Sequence, residues 1–353
     1  MGAIKLGSRL GENLLINPLM DLIERGAGSL SFIAPANSTY TLDRWLFSKN
    51  GTMVQTINQS TDVPVDSLAK YSLESVVTTA QASLTGFNLA ILSQKVEGHN
   101  FLKVKGRNSR VNFRVKAPIA GTYCVSFQNE AQDKSYIVEY EIAVANTWER
   151  KSVKMKHDPT GTWNYGNGIG VQVIFCYGVG DSFANATTDS WVDGTFIATP
   201  NQVNAVGTIA NEFKVTEISF HEGLDEIPFR DLIRDIGTER ALAHRYFVSL
   251  AFIQSSNNYI GRYRDFGSPG GAFTMGIPQP LRVDPVVVKV GGLSLTAATA
   301  TQVGTTINSF GGTRLRTDTE IAVECNLSAE INGGSVGMVE NLGGGYIHID
   351  SEL

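Results

Sequence analysis

Val111-Asn112-Phe113-Arg114-Val115-Lys116 alternates apolar and polar side chains without a break. Thr122-Tyr123-Cys124-Val125-Ser126-Phe127-Gln128 repeats the pattern after Gly121, and Tyr136-Ile137-Val138-Glu139-Tyr140-Glu141-Ile142 repeats it again. Alternation with period two over about 4–8 residues puts one face of an extended chain into a core and leaves the other outside. The same rhythm lies upstream at Ser31-Phe32-Ile33, Trp45-Leu46-Phe47, residues 71–77 and residues 89–94. Downstream it lies at residues 149–155, 170–177 and 213–220. About ten short strands with turns between them predict an all-β jelly-roll sandwich over residues 13–228. The near-absence of helical crossovers excludes a parallel α/β sheet.

The flanks read differently. Residues 1–12 are small, polar and basic, and read as an arm that orders against a partner. The N-terminus reads as lacking a secretory signal. Asn17-Pro18 predicts the start of a short helix, with Leu19, Met20, Leu22 and Ile23 as its apolar face and Gly26 and Gly28 as its stop. Residues 229–250 predict a helical hinge, with Thr238 capping a helix over 238–247. Residues 251–353 predict a smaller C-terminal β-sandwich. Residues 250–353 hold 16 of the 36 glycines. Gly291-Gly292, Gly311-Gly312, Gly333-Gly334 and Gly343-Gly344-Gly345 read as tight turns. Few bulky residues remain for a private core, so an oligomer is expected, and a trimer in particular.

The net charge is −5, from 29 Lys+Arg against 34 Asp+Glu. No nucleic-acid partner is expected, because such binding runs on clustered Lys and Arg. No apolar run is long enough to insert in a membrane as a helix. Cys124, Cys176 and Cys325 are odd in number and far apart, which predicts free buried thiols. The five histidines are scattered, and no metal or cofactor is expected.

Trp163, Tyr165 and Trp191 stand near Gly161, Gly166, Gly168 and Gly194 and are read as loop residues. They are the candidate glycan contacts, since aromatic faces and sugar C–H groups shed water together. The competing reading is that they close the end of the core. Trp45 and Trp148 read as core. Tyr259, Arg262, Tyr263 and Arg264, placed in a linker, are the candidate partner contacts. Asp21, Glu24, Asp225, Glu226 and Asp231 offer carboxylates, but no spacing pairs two of them. No nucleophile elbow, HExxH or phosphate loop is present, so no catalytic residue is assigned.

Several pieces in order carry a resemblance. They are Asn13-Leu14-Leu15-Ile16-Asn17, Asp43-Arg44-Trp45, residues 121–129, residues 135–140, Ala145-Asn146-Thr147-Trp148-Glu149, Thr160-Gly161-Thr162-Trp163, Phe213-Lys214-Val215-Thr216, Ile227-Pro228-Phe229 and residues 241–247. Leu281-Arg282-Val283-Asp284-Pro285-Val286 and the terminal residues 346–353 continue it. Together they resemble a bacteriophage virion family of tail-fibre and related proteins, with a carbohydrate-binding-module-like jelly roll and a C-terminal β-domain. Two departures stand out. His221 occupies a position where that family often has Glu, and residues 48–110 are longer than expected and read as an inserted loop facing a neighbour.

The resemblance implies a non-enzymatic virion fibre or spike subunit assembled in the host cytoplasm. It also implies a homotrimer, anchored to other virion proteins through residues 1–12 and adhering to bacterial surface polysaccharide. A capsid-decoration or head-fibre protein is one alternative. A virion-borne polysaccharide-degrading enzyme is the other.

Overall fold

The computed structural model describes residues 11–25, 30–32, 36–158, 160–252, 258–265, 270–290, 295–299, 302–317, 320–327, 336–341 and 345–352. Most of the predicted N-terminal arm therefore lies outside the described residues. The chain divides into two compact units, the first ending at Ile236 and the second spanning Gly237–Glu352.

The first unit begins with β1 (Leu30–Phe32), β2 (Ala36–Tyr40), β3 (Leu46–Asn50), β4 (Val54–Ser60), β5 (Ser72–Thr79) and β6 (Leu89–Glu97). A single-turn helix α1 (Gly98–Phe101) follows, then β7 (Ser109–Lys116), β8 (Gly121–Gln128) and β9 (Lys134–Ile142). β10 (Trp148–Met155), β11 (Ile169–Val179), β12 (Trp191–Asp193) and β13 (Glu212–Glu222) complete it. A six-stranded sheet runs β1-β4-β5-β13-β7-β10, and a seven-stranded sheet runs β12-β9-β8-β11-β6-β3-β2. Every pairing between these strands is antiparallel, and the chain crosses repeatedly from one sheet to the other, as a jelly-roll sandwich requires.

The alternation decides which side chains meet. Val111, Phe113 and Val115 of β7 turn inward against Tyr123, Val125, Phe127 and Phe175 of the facing sheet, all buried. Phe113 lies edge-on to both Tyr140 and Phe175 at 5.1 Å between centroids. Such contacts add about 0.5–1.5 kcal/mol each beyond burial.

Residues 48–110 are not an insert. They supply β4, β5, β6 and the start of β7, all integral to the two sheets. Nor does Asn17-Pro18 start a helix. Leu14, Leu15 and Ile16 are buried in the sandwich core or at its margin, and their backbone finds partners other than its own turns. Leu14 N–H donates to Phe220 O at 2.7 Å, and Ile16 exchanges two bonds with the Gln94 side chain. Asn17, at φ 58°, spends its side chain on Leu22 and Asp43. These long-range bonds replace the helical ladder.

The outer face of the seven-stranded sheet is covered. Ile197 and Ala198, from the segment after β12, pack with Ile91, Cys124, Ile137, Ile174 and Cys176 into a separate apolar cluster. Gln202 Oε1 accepts from Cys124 N–H at 2.7 Å and pins that cover. Cys124 and Cys176 are free and buried, and burial pushes both thiols up.

Helix α2 (Ile236–His244), whose residues from Gly237 belong to the second unit, starts two residues before the expected Thr238 cap. β14 (Phe247–Phe252), β15 (Asn258–Asp265), β16 (Gly270–Gly276), β17 (Val286–Val290) and β18 (Leu295–Thr299) follow. β19 (Gln302–Thr317), β20 (Glu320–Leu327), β21 (Val336–Asn341) and β22 (Gly345–Asp350) end the chain. The all-β reading holds here too, but six strands close into a barrel, β15-β16-β20-β19-β18-β21, instead of lying as two open sheets. A three-stranded sheet, β14-β22-β17, completes the unit. Val248, Phe273, Met275, Ile321, Val323, Ile347 and Ile349 form part of its core. Gly311-Gly312 is not a turn. It lies within β19, where the register against β20 shifts between Phe310 and Thr313. Glycine serves a bulge there as it would a turn.

Candidate functional site

The outer face of the six-stranded sheet is polar. β7 presents Arg110, Arg114 and Lys116 toward β13, whose Lys214 and Thr216 pair with Lys116 and Arg114. The β13–β7 register breaks between Thr216 and Ser219, and within that break Glu217 sits at φ 50°. Such a bulge re-aims a side chain at a cost of about 1–3 kcal/mol in a non-glycine residue. Here it turns Glu217 toward Arg114, whose Nε stands 3.3 Å from Glu217 Oε2.

Residues 61–70 form a strap across this face. Asp62 Oδ2 accepts from Lys116 Nζ at 2.8 Å and Lys214 Nζ at 2.7 Å, and Asp62 Oδ1 accepts from Trp148 Nε1 at 2.9 Å. Burial opposes the Asp62 charge, but these three donors outweigh it and hold its carboxyl far below the usual range. Lys214 also reaches Glu74 at 2.8 Å and Glu212 at 3.0 Å. Burial likewise opposes its charge, and the carboxylates win and raise its pKa. Further along, Asp66 pairs with Arg114 at 2.6 Å. Glu217 Oε1 accepts from Ser67 Oγ at 2.8 Å and Leu68 N–H at 2.6 Å.

The opposite wall is the segment after β13. Glu226 pairs with Arg150 at 2.5 Å and lies 3.7 Å from Arg110, which also donates to Leu224 O. Pro228 precedes a 3-10 turn at Phe229–Asp231. Between strap and turn lies a pocket of about 210 Å³. Asn112, Arg114 and Glu217 line it together with Asp66 and Leu68 from the strap. Arg150, Ile227, Pro228, Phe229 and Arg230 line the other side. At one end of this face His221 is buried and lowered in pKa by that burial. Its Nδ1–H donates to Glu222 O at 2.9 Å, so its Nε2 accepts from Asn112 Nδ2 at 3.2 Å in the neutral tautomer.

Two carboxylates, Asp66 and Glu217, thus meet in one pocket, which no spacing in the sequence announced. Both face the same guanidinium. The Arg114 bond and charge lower Asp66, which keeps it ionised. Glycoside hydrolysis needs one carboxyl raised and protonated beside a second. This pair is arranged to accept hydrogen bonds. Planar donors and acceptors on the floor, with a Phe229 wall, suit a polyhydroxylated ring.

The structure gathers Trp163, Tyr165 and Trp191 into a second site, at the sandwich end where α1 lies. Trp163 and Trp191 meet edge-on at 4.9 Å. Phe101 stacks parallel to Tyr165 at 6.1 Å and lies 5.4 Å from Trp163. Lys105 Nζ sits 4.5 Å from the Tyr165 ring centroid, and Trp191 Nε1 donates to Lys156 O. All three residues are half-buried and pack on the main core. Trp191 is not in a loop. It begins β12, opposite Tyr136 of β9. Trp45 is fully buried as expected, whereas Trp148 is half-buried on the edge strand, with its indole spent on Asp62.

Tyr259, Arg262, Tyr263 and Arg264 are not in a linker. They belong to β15 of the barrel, and their side chains lie outside the described set. Among the described residues no group of three or more His, Cys, Asp or Glu converges as metal ligands.

No protein-family model matches the chain, and no curated protein matches it. Solved structures do match. TmCBM61, solved in complex with β-1,4-galactotriose, is 12% identical, with 60% of this chain and 99% of that one covered and a TM-score of 0.29. A family 11 carbohydrate-binding module from Clostridium thermocellum, in complex with a mixed-linked tetrasaccharide, is 10% identical over 57% of this chain and 99% of its own, with a TM-score of 0.30. The CBM22-1 xylan-binding domain from Paenibacillus barcinonensis Xyn10C is 8% identical over 61% of this chain and 97% of its own, also with a TM-score of 0.30. Overlaps this loose carry no functional argument. The all-β architecture stands on the strand pairings themselves.

Proposed function

We propose that this chain is a non-enzymatic adhesive protein whose first unit binds saccharide in the groove between the strap and the Phe229 turn. One observation carries this reading. A pocket floored by fixed, hydrogen-bonded Asn112, Arg114 and Glu217 is walled by Phe229 and Leu68. The polar floor can match ring hydroxyls, and the apolar wall can take a ring face. Both carboxylates are already spent on Arg114, which supports binding over hydrolysis.

The setting we propose is a bacteriophage virion, as a fibre or spike subunit. The ordered sequence resemblance supports it. A trimer would present three such shallow sites, and multivalency would raise a weak single-site affinity. Residues 1–12 would anchor it to other virion proteins. The exposed parts of Trp163, Tyr165 and Trp191 are a second candidate contact, supported by their convergence in one cluster.

The test is a bacterial-polysaccharide array followed by titration of the hits. Phe229→Ala should weaken the best ligand at least about tenfold with the melting temperature unchanged, while Trp191→Ala changes affinity little. If Trp191→Ala abolishes binding and Phe229→Ala does not, the site is the aromatic cluster. If no saccharide binds, the reading falls. Sedimentation should give about three chain masses.

A further inference from the structure

The charges around the groove narrow its ligand, on the saccharide reading above. We propose that it receives the terminal, carboxylate-bearing residue of an acidic polysaccharide, with the carboxylate held by Arg150 and Arg230. Arg150 of β10 stands directly opposite Arg114 of β7 in the sheet register. Like charges facing across strands repel unless an anion lies between or beside them. Arg114 has its anions, Asp66 and Glu217.

Arg150 feels the charge of Asp66, but its one ion pair among the described residues is with Glu226, and the two side chains are 47% and 50% exposed. A pair so exposed is worth about 0–1 kcal/mol and exchanges readily for a better partner. Arg230 lines the same pocket, is exposed, and has no ion-pair partner among the described residues. Three arginines against Asp66 and Glu217 leave the lining one charge positive, on a chain whose net charge is −5. A guanidinium fork matches a carboxylate with two parallel bonds. The Asp66 and Glu217 carboxylates fix the orientation. They repel a ligand carboxylate from the strap side and accept hydroxyls there.

The pocket's size sets the terminal preference. Asp62 ties the strap to Lys116 and Lys214, and Ser67 and Leu68 tie it to Glu217, so this wall is fixed. The remaining 210 Å³ suits one ring, below the roughly 300–1,000 Å³ of drug-sized sites.

The experiment uses the full chain and a panel of paired oligosaccharides. One member of each pair ends in a hexuronate, and the other carries the same residue with its carboxyl reduced to the alcohol. The expected result is that, in at least one pair, the acidic member binds about tenfold tighter. Added salt should erode the preference, the Arg150→Gln, Arg230→Gln double variant should abolish it, and Arg230→Lys should keep part of it. One further sugar beyond the hexuronate should abolish binding. Equal binding of both members overturns the carboxylate assignment and leaves the saccharide reading standing. Equal binding of internal and terminal hexuronate overturns the terminal assignment alone. If no member of any pair binds, both readings fall together.

Discussion

The two outer faces of the sandwich start from the same strand rhythm and end differently. On the seven-stranded sheet the outward positions include Cys124, Ile174 and Cys176, and the chain folds a long segment back over them. On the six-stranded sheet the outward positions include Arg114, Lys116 and Lys214. There the chain spans the face with a strap held by ion pairs and leaves a pocket beside it. An apolar outer face must be buried, and burying it consumes the surface. A charged face can be bridged, and what the bridge leaves open can bind.

The largest effect should come from the covered face. Ile174→Ala removes a buried side chain beneath the cover and should cost about 2–4 kcal/mol in urea denaturation. A loss under about 1 kcal/mol would mean that the cover is loosely packed. Next comes the strap. Lys214→Met takes the shared cation from Glu74 and Glu212 and leaves Asp62 to Lys116 and Trp148, and should cost about 1–3 kcal/mol. It should also speed proteolysis within residues 61–70 while leaving residues 197–205 protected.

Acid should separate the faces further. Asp62 has a folded pKa below its ordinary value near 4, so its stabilisation is complete above that value and is lost as pH falls below it. Hydrogen exchange at residues 62–68 should therefore accelerate below about pH 4 before residues 197–205 respond. Simultaneous exchange would show that the strap and the cover open as one unit. The smallest effect is Arg150→Gln, which should change stability by no more than about 0.5 kcal/mol because its pair is exposed.

What was legible in the sequence follows the same division. β7, β8 and β9 could be read because their inward residues are uniformly apolar. β4 could not, because Gln55 is buried with its side chain on Ser75 Oγ, and Gln59 donates to Met20 O. These hydrogen bonds substitute for apolar burial and erase the pattern. β12 is three residues long and was read as loop. Asn17-Pro18 carried a helix signal that long-range bonds overrode. In the groove, Arg110, Asn112, Arg114 and Lys116 were visible as the polar side of a strand. Glu217 was hidden because residues 213–220 read as one regular strand with no sign of the bulge, and Phe229 because it resembled the apolar face of a helix. The aromatic cluster could be suspected from its glycine neighbours, but only the β12–β9 pairing brings Trp191 to Trp163.

The central claim is that the open face binds a sugar and the covered face does not. A crystal structure of the full chain with the tightest oligosaccharide from the array tests it most directly. The account predicts a sugar ring against Phe229, with its hydroxyls on Asn112 and Glu217. A ring stacked on Trp163 and Trp191, or any site on the covered face, would contradict it.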